Sequence, residues 1–332
     1  MNEFSFSKGT RICKVVESKL KSENGTEIFL YDPDFRCCIK CSDRCTLSKP
    51  CCKECSKFLY HKKQQPKLNV DKLYEYLKYQ KIESDSDSDS DGDGDSDSDV
   101  ELPRNRGNEI VGAGVSTTDI KLRSGRFQLV PTSNLNNPDT IYICGAAGSG
   151  KSFYIAQYLS EFIKYYPKYR IYLFSQKTED KHLDSLITKR IPLDKLPEAN
   201  FEAEDFKSTM VIFDDIDVIS DKKINTATFE LVDKILEIGR SYQTFCLMTM
   251  HLASNREQTK RILNRCTHFV FFKKSAGRNL KYALENYLNF EPKEIRQLLR
   301  YDTNSYCIFR TCPQIILLRN ELFFQSKLDP DN

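Results

Sequence analysis

Long apolar runs are missing from this chain. No stretch approaches the roughly 18 consecutive apolar residues of a membrane-crossing helix, so no transmembrane segment is expected. The opening residues, MNEFSFSKGTRICKVVESKL, lack the apolar core of a signal peptide. A soluble intracellular protein with no membrane partner is therefore the expectation. Residues 84–99, SDSDSDSDGDGDSDSD, lack both apolar side chains and bases, and eight of them are Asp. Like charges repel and nothing there can be buried, so a disordered linker is expected over 83–107. It serves either as a spacer or as an acidic tail that mimics nucleic acid, binds a basic partner or is phosphorylated on serine. Histidines are few, and His182, His251 and His268 show no ligand spacing, so no metal is expected at them.

What is present suits one large domain or two modest ones: 332 residues, 39% hydrophobic and 29% charged. Net charge is +3, but the acidic run masks a more basic body. A basic body fits a nucleic-acid partner and fits simple solubility equally. Thirteen cysteines in a reducing compartment point to metal or free thiols rather than disulfides. Seven of them crowd into CCIKCSDRCTLSKPCCKEC. Cys38 and Cys41 form one Cys-x2-Cys knuckle, Cys52 and Cys55 a second, and tetrahedral Zn²⁺ takes four such thiolates. Their separation is shorter than usual for paired knuckles. Cys37, Cys45, Cys51 and His61 are spare ligands, so the register stays open. Residues 1–82 are thus expected to be a Cys-rich region with a candidate zinc module, closed by a helix over 68–80. Cys144, Cys246 and Cys307 fall in apolar strands, where packing explains them.

The segment IYICGAAGSGKS, 141–152, carries the most specific signal. Gly145, Ala146, Ala147, Gly148, Ser149, Gly150, Lys151 and Ser152 match G-x-x-x-x-G-K-[ST]. Small residues let the backbone curl around an anion and point N–H groups at phosphate oxygens. The following helix starts at the loop, so its positive dipole end faces the same phosphates. Lys151 is expected to reach the β- and γ-phosphates of ATP, and Ser152 to ligate Mg²⁺. A strand at 141–144 and helical spacing of apolar residues from Phe153 to Tyr165 supply the required context.

A second motif, MVIFDDID at 210–217, is a buried strand that delivers acids to its C-terminal end. Asp214 is expected to hold the Mg²⁺ and its waters, and Asp215 to polarise the attacking water. Asp217 reads as a loop residue. Further strands are expected at 126–131, 170–175, 244–251 and 267–272, and helices at 225–240, 255–265, 276–288 and 292–300. A closing hairpin is expected from 306–309 and 314–318. Ser175 and Gln176, at the end of the second strand, are candidates to line the site. Strands alternating with helices give an α/β fold: a P-loop NTPase domain over 125–325 with a mainly parallel sheet flanked by helices. Ligands bind at the C-terminal strand ends of such sheets, where both motifs sit.

GAAGSGKS, FDD at 213–215, Gly239-Arg240-Ser241 and the polar strand end at Thr249 and His251 occur in that order. This arrangement resembles the FtsK–HerA group of DNA-translocating ATPases, most of all the genome-packaging ATPases of poxviruses and other large DNA viruses. In that family the helix ends in Gly-Arg-His and the next strand in a polar sensor, often Gln. Here Ser241 replaces the His, and Thr249 or His251 stands near the sensor's place. The resemblance covers about 125–320. It implies ATP hydrolysis by a homo-oligomeric ring acting on double-stranded DNA, in the host cytoplasm or the virion. It also implies an arginine supplied by a neighbouring subunit, for which Arg240, Arg261 and Arg265 are candidates beside the plainer reading of surface charge. Two other classes stay open: a zinc-containing nucleic-acid-binding or adaptor protein that uses its P-loop as a nucleotide switch, and a small-molecule kinase.

Overall fold

The apolar strands in the sequence are apolar on both faces because both faces are covered. In the computed structural model, which describes residues 2–6, 9–31, 118–253, 256–273 and 277–328, every residue of MVIF and FCLMTM is buried. The strands are β1 (Glu3–Ser5), β2 (Thr10–Val16), β3 (Glu27–Tyr31), β4 (Asp119–Lys121), β5 (Arg126–Leu129), β6 (Thr140–Cys144), β7 (Arg170–Ser175) and β8 (Lys189–Pro192). They continue with β9 (Thr209–Phe213), β10 (Phe245–Met250), β11 (His268–Phe272), β12 (Ser305–Phe309), β13 (Ile315–Leu317) and β14 (Glu321–Phe324). The helices are α1 (Lys151–Tyr165), α2 (Leu196–Ala199), α3 (Lys222–Ile238), α4 (Arg256–Arg265), α5 (Arg278–Leu288) and α6 (Pro292–Leu298).

Ten strands form one sheet in the order β4-β14-β13-β12-β11-β6-β10-β9-β7-β8. From β11 to β8 neighbours run parallel, and from β11 back to β4 they run antiparallel. The expected mainly parallel sheet is present, and the expected hairpin of β12 and β13 lies at its antiparallel side. Alternate residues of each central strand serve opposite faces. Ile141, Ile143, Met210, Ile212 and Leu247 join Ile155, Leu159 and Phe162 of α1. Tyr142, Cys144, Val211, Phe213 and Met248 join Val232 and Ile235 of α3, with α4, α5 and α6 beyond. Period-two alternation across a doubly covered sheet yields these two separate cores.

The N-terminal part departs from the expected boundaries. Residues 1–82 read as one Cys-rich region, yet β1, β2 and β3 belong to the core of the P-loop domain. They form a second, antiparallel sheet in the order β1-β3-β2-β5. β5 is the strand expected at 126–131; it pairs with β2 rather than entering the large sheet. Phe4, Ile12, Cys13, Val15 and Ile28 share a core with α1, and Phe4 stacks on Phe324 with centroids 4.6 Å apart. TRICKVV alternates too weakly to be read as a strand, and its partners come from distant chain. The four cysteines expected to hold zinc, the helix at 68–80 and the linker at 83–107 lie outside the described residues.

One ion pair ties the small sheet to α1. Lys14 Nζ lies 2.7 Å from Glu161 Oε2, and both side chains are largely buried. Burial raises the Glu161 carboxyl, but hydrogen bonds from Lys14 and Lys164 outweigh that and hold it below the usual carboxylate range. A depressed carboxyl stabilises the fold above its unfolded value of about 4.3 and loses that contribution as pH falls through the lower folded value. Lys14→Met should therefore cost about 3 kcal/mol at neutral pH, since it leaves a buried carboxylate short of a partner. Urea unfolding at a series of pH values should show the gap from wild type closing below about pH 4.

Candidate nucleotide site

The loop that follows β6 is shaped by residues that tolerate a left-handed backbone. Gly148 and Gly150 have φ of 71° and 106°, where a Cβ would be strained. A Cβ on Gly145 would come 2.3 Å from Ser149 Oγ. Gly145 N–H donates to Met250 O at 3.0 Å, which pins the loop to the end of β10. Gly150 is the N-cap of α1 and supplies no side-chain acceptor. The opening N–H groups of a helix have no partners within it, so here they face the loop. Ser149 Oγ is buried without a hydrogen-bond partner. A cradle of this kind, with an orphaned hydroxyl and a helix N-terminus, fits a phosphate chain.

Strand register brings the acids to the cradle. β10 lies between β6 and β9, with Met248 level with both Tyr142 and Phe213. The next residue outward, Thr249, therefore stands beside Asp214. Thr249 Oγ1 donates to Asp214 Oδ1 at 2.9 Å and accepts from the Asp215 N–H at 2.6 Å. Ser175 Oγ, at the end of β7, donates to Asp214 Oδ2 at 3.2 Å. Gln176 is exposed. Asp215 adopts φ 50° and ψ 46°, a left-handed conformation that costs an L-residue about 1 kcal/mol and that Asp tolerates better than most. That twist turns its carboxylate back towards Lys151, whose Nζ lies 3.2 Å from Asp215 Oδ1 and donates to Gly145 O at 2.7 Å. Lys151, Asp214, Asp215 and the start of α1, where Ser152 sits, thus meet at one edge of the sheet.

Two residues that sequence reasoning passed over sit at the centre of this edge. Lys177 Nζ donates to Asp214 Oδ2 at 3.0 Å and Asp215 Oδ2 at 2.7 Å. Burial alone would lower its amine, but these bonds raise it above the ordinary lysine range. Asp215 is likewise pulled below the usual range: burial pushes it up, and Lys177 and then Lys151 more than offset this. Asp217, read as a loop residue, has a side chain only 4% exposed that accepts from His251 N at 2.8 Å and Leu252 N at 3.2 Å. His251 Nδ1 lies 3.3 Å from Asp217 Oδ1, and its Nε2 lies 3.8 Å from Asp215 Oδ1. The signal for both was position: each follows a strand at the C-terminal edge of the sheet.

Other candidates are placed elsewhere. Arg240 is exposed in the turn Gly239–Tyr242. It lines a cavity of about 260 Å³ with Thr140, Arg265 and Thr267, at the N-terminal ends of β6 and β11. That is the far end of the sheet from the loop. Arg261 and Arg265 are held by Asp233 of α3, at 2.8 and 3.3 Å. His268 is buried against Phe309, at 4.4 Å between centroids. Cys144, Cys246 and Cys307 are buried, and burial pushes Cys144 and Cys307 up to about 12. Among the described residues no group of three or more His, Cys, Asp or Glu is placed to hold a metal. The hard oxygens of Ser152 and Asp214 are the donor types that Mg²⁺ takes together with nucleotide phosphates and water.

Comparison with known proteins agrees with this geometry. A family described as the P-loop containing dynein motor region matches residues 115–255. Uncharacterized protein V3 of Sputnik virophage is 32% identical over 204 residues, which span 61% of this chain and 82% of the virophage protein. The chain belongs to the family of that virophage protein. Solved structures similar to this virophage-family protein include B204, the DNA-packaging ATPase of Sulfolobus turreted icosahedral virus. Its TM-score is 0.39 at 16% identity, over 55% of this chain and 98% of that one. The genome packaging NTPase B204 of Sulfolobus turreted icosahedral virus 2, in complex with AMPPCP, gives 0.37 at 14% identity, over 54% and 96%. No helix among the described residues is long and apolar enough to cross a membrane.

The Thr249 hydroxyl is the bond that sets the acids. Thr249→Val should cost about 1–3 kcal/mol in chemical unfolding, because it strands a buried carboxylate oxygen and a backbone N–H. Thr249→Ser keeps the hydroxyl and should recover most of that loss.

Proposed function

We propose that this protein is an ATPase whose turnover drives movement of double-stranded DNA, as in packaging of a viral genome. The observation that carries the reading is the meeting of Lys151, Asp214 and Asp215 on one sheet edge, with Thr249 bonded to both acids. Phosphoryl transfer requires positioning and charge stabilisation more than covalent chemistry. Gly145, Ala146, Ala147, Gly148, Ser149 and Gly150 would wrap the phosphates and Lys151 would neutralise them. Ser152 and Asp214 would hold Mg²⁺, which would supply charge neutralisation to the phosphates when bound. Asp215, kept ionised by its lysines, would orient and polarise the attacking water. The resemblance of GAAGSGKS, FDD at 213–215 and Gly239-Arg240-Ser241 to the motifs of DNA-translocating ATPases favours DNA as the partner.

The arginine in this reading comes from another subunit. Arg240 lies at the opposite end of the sheet from its own loop, so it would serve a γ-phosphate only across the interface of a homo-oligomeric ring. Arg261 and Arg265 each have Asp233 as a partner and are the weaker candidates. The cysteine cluster, with Cys38, Cys41, Cys52 and Cys55 as candidate Zn²⁺ ligands, would be an accessory module. A place in the host cytoplasm or the virion follows from the packaging role.

ATP hydrolysis by the purified full chain, with and without double-stranded DNA, tests the proposal. Turnover should rise with DNA and vanish in Lys151→Ala. Asp215→Asn should still bind ATP and lose roughly 10²-fold or more in kcat, as expected for loss of a water-polarising base. Wild type that binds ATP yet turns over no faster than Lys151→Ala would rule out the motor and leave the P-loop as a nucleotide switch.

A further inference from the structure

Lys177 belongs to neither nucleotide motif, yet its side chain contacts both acids of the pair. One ammonium spans Oδ2 of Asp214 and Oδ2 of Asp215 at 3.0 and 2.7 Å. The Asp214 oxygen is the one a divalent cation would take. Lys151 takes Oδ1 of Asp215 from the other side. Two lysines therefore cover a pair of carboxylates that would otherwise repel each other across the strand end.

The backbone and the side chain of Lys177 are held differently. Its N–H donates to Ser175 Oγ at 3.1 Å, and its carbonyl accepts from Arg190 Nη1 at 2.9 Å. Arg190 is itself paired with Asp184. The main chain is thus tied to β7 and β8 independently of the amine. The Lys177 side chain is 45% exposed, while those of Asp214 and Asp215 are 3% and 14% exposed. The amine has an open route to solvent, and the acids do not. A flexible four-carbon stem with a point charge at its tip is suited to leaving and returning.

We propose that Lys177 is a positioning residue: it is the resident counter-ion of Asp214 and Asp215 and is exchanged for a divalent cation when nucleotide binds. It pairs the two carboxylates and presets them without metal, and it keeps free cations out until phosphate oxygens can share in their coordination. Displaced, the amine remains tethered within reach of the phosphate cradle. This inference rests on the reading of 145–152 and 214–215 as a nucleotide site. It does not require that the protein turn over ATP or touch DNA.

The test is Mn²⁺ binding to the nucleotide-free full chain, with free Mn²⁺ counted by electron paramagnetic resonance. Lys177→Gln should bind Mn²⁺ about tenfold more tightly than wild type, because a positive charge about 3 Å from the donor oxygens is gone. Lys177→Arg should stay near wild type, and Asp214→Asn added to Lys177→Gln should abolish the gain. Thermal unfolding without metal establishes that each variant is folded. Equal Mn²⁺ affinity in folded wild type and Lys177→Gln overturns the proposal, and so does a gain that survives Asp214→Asn. Wild type that hydrolyses ATP without any such difference sinks the counter-ion role alone. A gain in Lys177→Gln beside a wild type without turnover supports the exchange and removes only the ATPase reading.

Discussion

One hydroxyl joins the ends of two strands. Thr249 Oγ1 gives its proton to Asp214 and receives one from the backbone of Asp215. The bond exists because β10 is inserted between the loop strand β6 and the acid strand β9. If β9 paired with β6 directly, the acids would stand against the loop with no polar strand end between them. The inserted strand sets their distance from Lys151, and its outermost side chains hold them there. Asp217 repeats the device one step further out, where it binds two backbone N–H groups beyond the end of β10.

The charges at this edge are balanced by proximity rather than by solvent. Three aspartates lie within four positions, and the side chains of two are almost fully buried. Buried carboxylates persist as ions only with paired charges and hydrogen bonds. Lys151 and Lys177 supply the charge, and Ser175, Thr249 and backbone N–H groups supply the bonds. The left-handed turn at Asp215 is tolerated because the ion pairs on both of its oxygens hold it in place.

The central fold was legible because its signals are local. GAAGSGKS and the doubly apolar strands announce themselves over a few residues, and helices α3, α5 and α6 begin and end within a few residues of expectation. Long-range pairing was not legible. β1, β2 and β3 are short, and β2 pairs with β5 more than a hundred residues away. β4 and β14 are short strands that find each other across most of the domain. Lys177 meets Asp214 across 37 positions of chain, and only its place after β7 sets it apart from a surface lysine. Arg240 shows the converse: a motif tripeptide suggested chemistry, and the topology set it at the far end of the sheet.

The small sheet changes what the cysteine cluster is. β3 ends at Tyr31 and β4 begins at Asp119, and both strands are built into the domain. In chain order the cysteine cluster therefore falls between two strands of the domain rather than ahead of it. Cutting it away from the front would carry off β1, β2 and β3, which share a core with α1 and are tied to it by Lys14 and Glu161. An edit that removes the cluster must leave Tyr31 and Asp119 in place, because both of their strands pair within the domain.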